Sequence, residues 1–212
     1  MSATNRRTLL AGIASLAVPA SAASEWRPLL NGKDLDGWQK VGDGVWTVMS
    51  DGTLLGDRTP KTSRDQAWVY TVEEYGQFDL ELDFWTRLGG NSGVTLRDAT
   101  RGKFAVYPNH DRKKTPSHNG YEIQISNSYA KDPYPTGSIY LFQKAKTGFQ
   151  KPGDWNHLRL ESRNEIIRTF LNGEKVCEHP GDPARPKTGP IGLQLHDPNS
   201  VVMFRNLRIR TM

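Results

Sequence analysis

The sequence predicts an all-β fold, a two-sheet antiparallel β-sandwich or jelly roll, on three observations. No stretch of three helical turns carries apolar residues at the i, i+3, i+4 and i+7 positions that an amphipathic helix needs. Short runs of alternating or β-branched residues recur along the chain, bounded by Gly, Asn, Asp and Pro. The connections between them are too short for crossover helices, so about ten to twelve strands must stack as sheets on one another.

The clearest elements are two hairpins. Val45-Trp46-Thr47-Val48 and Thr53-Leu54-Leu55 flank Asp51-Gly52, and the run from Ile166 to Leu171 is joined to the run from Glu174 to Cys177 by Asn172-Gly173. Both dipeptides suit the positive φ values of a tight turn. Between the hairpins, Phe78-Asp79-Leu80-Glu81-Leu82-Asp83-Phe84 alternates strictly, which turns four apolar side chains to a core and three acids to water. Further strands are expected at residues 94–96, 121–125, 138–142, 157–161, 191–195 and 201–209. The longest irregular stretch, residues 97–119, contains Pro108, Pro116 and the basic segment Asp111-Arg112-Lys113-Lys114, and a loop of that length in a compact domain is commonly functional.

The N-terminus reads as an export signal. Arg6-Arg7 precedes a short apolar run ending at Val18, and Ala20-Ser21-Ala22 supplies the small residues of a cleavage site. The run is too short to cross a bilayer. Paired arginines followed by leucines point to the twin-arginine route, with an ordinary secretory signal as the alternative. Residues 1–22 are therefore expected to be removed, leaving residues 23–212 as a single domain in the periplasm or outside the cell. The single cysteine, Cys177, rules out an intramolecular disulfide, so packing alone must hold the fold. A formal charge of +5, without any block of like charges, gives no footprint for nucleic acid, and no membrane partner is expected.

Three constellations carry candidate chemistry. In Gly120-Tyr121-Glu122-Ile123-Gln124-Ile125-Ser126-Asn127, strand geometry sets Glu122, Gln124 and Ser126 on one face. Such a row either meets solvent or meets a polar ligand, because burying it without hydrogen bonds is costly. In Gly89-Gly90-Asn91-Ser92-Gly93-Val94-Thr95-Leu96-Arg97, glycines admit a close approach and Thr95 shares a face with Arg97. Arg97 could clamp a hydroxyl pair, a carboxylate or an enolate, or form a structural ion pair with Glu122 or an acid of the 79–83 strand. In Gly192-Leu193-Gln194-Leu195-His196-Asp197, His196 beside a carboxylate is either a general base or a hydrogen-bonded structural residue. His110, Asp111 and His118 could gather a metal with Glu122, but their spacing is not that of a closed zinc site, so no cofactor is predicted and a divalent metal stays open. Six tryptophans raise the possibility of stacking platforms, although most tryptophans in a sandwich belong to its core.

Taken in order, Leu30-Asn31-Gly32-Lys33-Asp34-Leu35-Asp36-Gly37-Trp38, Asn91-Ser92-Gly93, Gly120-Tyr121-Glu122-Ile123-Gln124, Gly153-Asp154-Trp155-Asn156, Leu171-Asn172-Gly173, the segment from Gly189 to His196 and Phe204-Arg205-Asn206-Leu207-Arg208-Ile209 resemble the bacterial 3-keto-disaccharide hydrolase domain family. The resemblance spans nearly all of residues 23–212. It implies a concanavalin A-like jelly roll of the lectin and glucanase type, export, and hydrolysis of glycosides whose sugar is already oxidised to a ketone at carbon 3. Two positions depart from the family pattern: members often carry an aspartate where Asn127 stands, and another where Leu195 precedes the histidine. The Glu-Ile-Gln-Ile string is also similar to laminarinase-type retaining glucanases, but Gln124 and Asn127 cannot ionise, so two carboxylates along one strand are lacking.

A keto sugar needs only one base and one enolate stabiliser. The expectation is that His196 or Glu122 takes the proton at carbon 2, Arg97 and Gln124 steady the enolate, Asn91 and Asn127 help hold the substrate, and water adds to the resulting enone. A non-catalytic carbohydrate-binding sandwich is the alternative, and a protein-interaction sandwich a third reading.

Overall fold

A computed structural model describes residues 25–58, 65–127 and 133–212. The expected export signal lies outside these residues. Among the described residues, thirteen strands run β1 Arg27–Pro28, β2 Trp38–Val41, β3 Val45–Val48, β4 Leu54–Asp57, β5 Ala67–Thr71, β6 Phe78–Thr86, β7 Asn91–Leu96, β8 Tyr121–Ser126, β9 Asn156–Arg163, β10 Ile166–Leu171, β11 Glu174–His179, β12 Ile191–Leu195 and β13 Val201–Thr211. The helical content described is one 3-10 turn, Lys103–Ala105, and one α-helical turn, Pro116–Asn119. The strands form two sheets: β11-β10-β9-β6-β13-β4-β3, with β1 added against β13, and β2-β5-β12-β7-β8. This is the predicted antiparallel sandwich.

Both hairpins form. Asn172 (φ 51) and Gly173 (φ 93) adopt the left-handed backbone that a two-residue turn requires, and β10 pairs with β11 across it. Phe78, Leu80, Leu82 and Phe84 are fully buried, as their alternation predicts. The three acids between them do not simply face water. Asp79 is buried under Arg163 and Arg210, Glu81 accepts from Arg208, and Asp83 accepts from Asn206 at 2.7 Å and lies 2.9 Å from His157. Arginines on neighbouring strands provide an ionic cover that no single-strand pattern reveals. The expected strand at 138–142 is instead a set of isolated bridges, Ile123 with Ile139 and Ile139 with Gln143. Leu141 takes a positive φ of 72° there, which ends the extended run.

One core fills the space between the sheets, and Val69, Val94, Leu96, Tyr121, Ile123, Ile125, Ile191, Leu193 and Leu195 line it from the smaller sheet. The opposite face of that sheet carries a second, small apolar cluster of Trp68, Tyr70 and Ala105. Ala105 belongs to the long 97–119 loop, so the loop covers the β2–β5 half of this outward face. The β12–β7–β8 half is left for other use.

Candidate functional site

Period-two alternation on β8 turns Glu122, Gln124 and Ser126 away from the core that takes Tyr121, Ile123 and Ile125. On β7 the same face holds Asn91, Gly93 and Thr95, paired in register with Ser126, Gln124 and Glu122. On β12 it holds Gly192 and Gln194, and His196 follows just beyond the strand. The outward row is nevertheless buried, with Glu122 5%, Gln124 2% and Gln194 0% exposed. A plain solvated surface would leave such groups open to water.

A cavity of about 680 Å³ stands over this row. Asn91, Glu122, Gln124 and His196 line it from the sheet side, Asp65 and Gln66 from the approach to β5, His110, Arg112, Thr115 and His118 from the long loop, and Tyr140 and Leu141 from the segment beside β8. Its size is that of a small-molecule site. The β8 backbone is fixed at this point, because Tyr140 N–H donates to the Glu122 carbonyl at 2.8 Å and Gln124 N–H donates to the Ser138 carbonyl at 2.9 Å. Gly93 gives the row its depth. A Cβ there would meet Glu122 Oε1 at 2.8 Å and Gln194 Oε1 at 3.3 Å, so both side chains lean over the space that glycine leaves.

The charges are mixed. His196 Nδ1 lies 3.8 Å from Asp197 Oδ2. Burial raises the Asp197 carboxyl, but the neighbouring His196 imidazole and the hydrogen bond from the Asn199 N–H outweigh it and leave the group below the usual carboxylate range. Asp65 is 3.0 Å from His110 Nδ1 and accepts the Tyr107 N–H at 2.6 Å, which ties the loop to the start of β5. Burial and the nearby Arg185 push His118 below its ordinary value, so it stands neutral at pH 7. Arg112 lines the loop wall and makes no ion pair among the described residues. Asn91 Oδ1 and both ends of the Gln194 carboxamide are buried without a hydrogen-bond partner among the described residues. An unsatisfied buried polar group costs about 1–3 kcal/mol, and such groups concentrate where a ligand supplies what the chain lacks.

Two expected site residues lie elsewhere. Arg97 takes a left-handed φ of 62°, which breaks the alternation at the end of β7, and its guanidinium turns between the sheets to donate to Ser162 Oγ at 2.6 Å and the Gly76 carbonyl at 3.0 Å. Neither an enolate nor Glu122 is its partner. Asn127 falls one residue past Ser126 on the opposite parity, and its amide donates to the Thr86 carbonyl at 3.1 Å, fastening the turn that leads into β7. Leu195, the second departure from the family pattern, is fully buried and packs beside Trp46 at Gly44 and Gly56. The metal grouping of His110, Asp111, His118 and Glu122 does not form: no cluster of three or more His, Cys, Asp or Glu side chains suited to a metal occurs among the described residues.

Sequence reasoning missed Gln194, Asp65, Arg112 and Tyr140. Gln194 was within reach, since it stands on β12 two residues before His196. The others reach the cavity through the fold of loops, which periodicity does not describe. Of the tryptophans, Trp38, Trp46 and Trp68 are buried, while Trp26 and Trp155 carry arginine guanidiniums over their rings on the outer side of the larger sheet. None lines the cavity. Among the described residues no helix is long and apolar enough to cross a membrane.

Residues 25–210 match the family model described as the 3-keto-alpha-glucoside-1,2-lyase-like domain. Among solved structures, a candidate glycosyl hydrolase from Parabacteroides distasonis is 30% identical, covers 89% of this chain and 100% of its own, and superposes with a TM-score of 0.67. A second candidate glycosyl hydrolase from that organism, 24% identical over 88% of this chain and 94% of its own, gives 0.70. The carbohydrate-binding module CBM66 from Bacillus subtilis shares the fold at 19% identity and a TM-score of 0.55, over 81% of this chain and 93% of its own. No curated protein sequence matches the chain.

Proposed function

The chain belongs to the 3-keto-α-glucoside-1,2-lyase-like (3-keto-disaccharide hydrolase) domain family, and on that premise we propose that it cleaves 3-keto-glycosides by elimination followed by hydration. Its family and neighbours make it a glycosyl hydrolase-like, carbohydrate-active domain. The finer reading rests on one observation: a buried carboxyl group, Glu122, shares one cavity with a histidine that is itself backed by a carboxylate, His196 with Asp197. Direct double displacement needs two carboxyl groups about 5 Å apart, and the β8 row offers an amide where the second would stand.

The ketone at carbon 3 acidifies the hydrogen on carbon 2. His196 takes that proton, and the electron pair becomes an enolate across carbons 2 and 3. As the carbonyl re-forms, the double bond moves to carbons 1 and 2 and the leaving oxygen departs from carbon 1, protonated by Glu122. Water then adds to carbon 1 with Glu122 as base, and the proton held by His196 returns to carbon 2. The sequence is redox-neutral and needs one base, one acid and an oxyanion stabiliser. Gln124 and the guanidinium of Arg112, which makes no ion pair among the described residues, take the stabilising part that Arg97 cannot. Asn91 Oδ1, buried without a donor, is suited to accept a sugar hydroxyl.

The two departures from the family pattern do not weaken this reading, because neither Asn127 nor Leu195 lines the cavity. The expected leader would send the protein to the periplasm or beyond the cell to meet such substrates. The reaction is tested with purified protein and a 3-keto-glycoside carrying a chromogenic leaving group. Release is expected from the wild type, with His196→Ala and Glu122→Gln each slower by about 10²–10⁴-fold, the usual worth of a general acid or base. Full activity in both variants would refute the roles, and tight binding of the glycoside without turnover would select the carbohydrate-binding reading.

A further inference from the structure

We infer that Gln194 is a positioning residue for Glu122, the side chain that sets where the carboxylate stands beneath the substrate; this rests on the catalytic reading of the cavity. Gln194 is completely buried, yet neither its Nε2 nor its Oε1 has a hydrogen-bond partner. Its backbone is held firmly, with the Gln194 carbonyl accepting from Ser92 Oγ at 2.7 Å and β12 paired to both β5 and β7. The amide is therefore not adrift at a frayed end.

Its side chain and that of Glu122 approach one another from opposite sides of β7. Both reach over Gly93, with Glu122 Oε1 and Gln194 Oε1 lying 2.8 and 3.3 Å from one point above that glycine. The two ends of a carboxamide are nearly isosteric, so a half-turn about the last torsion replaces the Oε1 acceptor by the Nε2 donor at the same place. In that orientation the amide donates to the Glu122 carboxylate and stabilises its charged form. A donor fixed by a sheet on one side of the carboxylate also restricts its rotation.

The geometry gives Gln194 no direct part in the chemistry, since it does not line the cavity. The experiment must therefore see Glu122 itself. Titration of ¹³C-labelled glutamate by NMR, with the Glu122 resonance assigned from Glu122→Gln, is compared between wild type and the donor-free, similarly sized Gln194→Met and Gln194→Leu. The other charged groups around the cavity, Asp65, His110, Arg112, His118 and His196, and the buried Tyr70 beneath it, are the same in all three proteins. The Glu122 midpoint is expected to rise by about one pH unit in both variants, the effect of losing one hydrogen bond to the charged form. On a 3-keto-glycoside, the limb of the kcat–pH profile that reports Glu122 is expected to move up by the same amount, with KM within about twofold. An unchanged midpoint in either folded variant overturns the inference. A wild type without turnover would instead defeat the catalytic reading and leave the titration to decide the contact.

Discussion

A methyl group added at Gly93 would press on Glu122 and on Gln194 at once. Overpacking of this kind costs about 1–3 kcal/mol, and here the strain falls on the carboxyl group because the flexible side-chain ends give way before the sheet does. Gly93→Ala is accordingly expected to lower the thermal midpoint by only a few degrees and to reduce kcat/KM on a 3-keto-glycoside at least tenfold. A variant as active as wild type would mean that Glu122 does not need the position it occupies. Alternation by two was enough to put Glu122 and Gln124 on a working face, because nothing interrupts β8 between them. It failed at Arg97, which stands where β7 ends and where a left-handed φ redirects the side chain at a point no periodic pattern marks. Asn127 lies on the opposite parity, so alternation itself set it apart from that face. The spacing role of Gly93 was equally hidden, since it depends on how far side chains lean across from two other strands.

At the scale of elements, β6, β9 and β13 show what an alternating strand does not reveal by itself. Their outward residues interlock as Asp79 with Arg163 and Arg210, Glu81 with Arg208, and Asp83 with His157, Arg205 and Asn206. Burial raises the Asp79 carboxyl, but the hydrogen bonds from Arg163 and Arg210 outweigh it and hold the group below its ordinary value. A carboxyl whose folded value lies below its unfolded value of about 3.9 stabilises the fold fully above that pH. The contribution is lost as the pH falls through the lower, folded value. Denaturant unfolding is therefore expected to show stability declining on acidification below about pH 4, with a shallower decline in Asp79→Asn. At pH 7 that variant should be less stable by about 2–3 kcal/mol, less than the ~3–5 of a fully buried pair because both guanidiniums keep about a third of their surface in water. Equal acid slopes in the two proteins would show that the ladder does not carry the pH dependence. The long loop is the element the sequence described least. Its Ala105 covers Trp68 and Tyr70 while its His110, Arg112 and His118 wall the cavity, so one segment is both core and site.

For the molecule as a whole, the open question is what keeps two sheets of unequal size in one arrangement when no disulfide joins them. The apolar core supplies most of the energy, but apolar contacts alone tolerate sliding. Arg97 is a directional tie across the gap: it leaves the end of β7 in one sheet and donates to Ser162 Oγ on β9 of the other, and to the Gly76 carbonyl just before β6. Desolvation by burial lowers its pKa from the ordinary arginine value, and its Nε has no partner, so the tie is held at some cost. This assignment and the enolate-clamping role read from the sequence predict opposite results for Arg97→Met, which keeps much of the length and removes the charge. As a tie between sheets, its loss should lower stability by about 1–3 kcal/mol, the range for hydrogen bonds to a charged group less the desolvation relieved. That corresponds to a drop of several degrees in thermal midpoint for a chain of this size. The kcat on a 3-keto-glycoside, assayed well below that midpoint, should stay within about twofold of wild type. A folded variant with kcat reduced a hundredfold would return Arg97 to the reaction, and would mean that the guanidinium leaves Ser162 for the cavity when substrate binds.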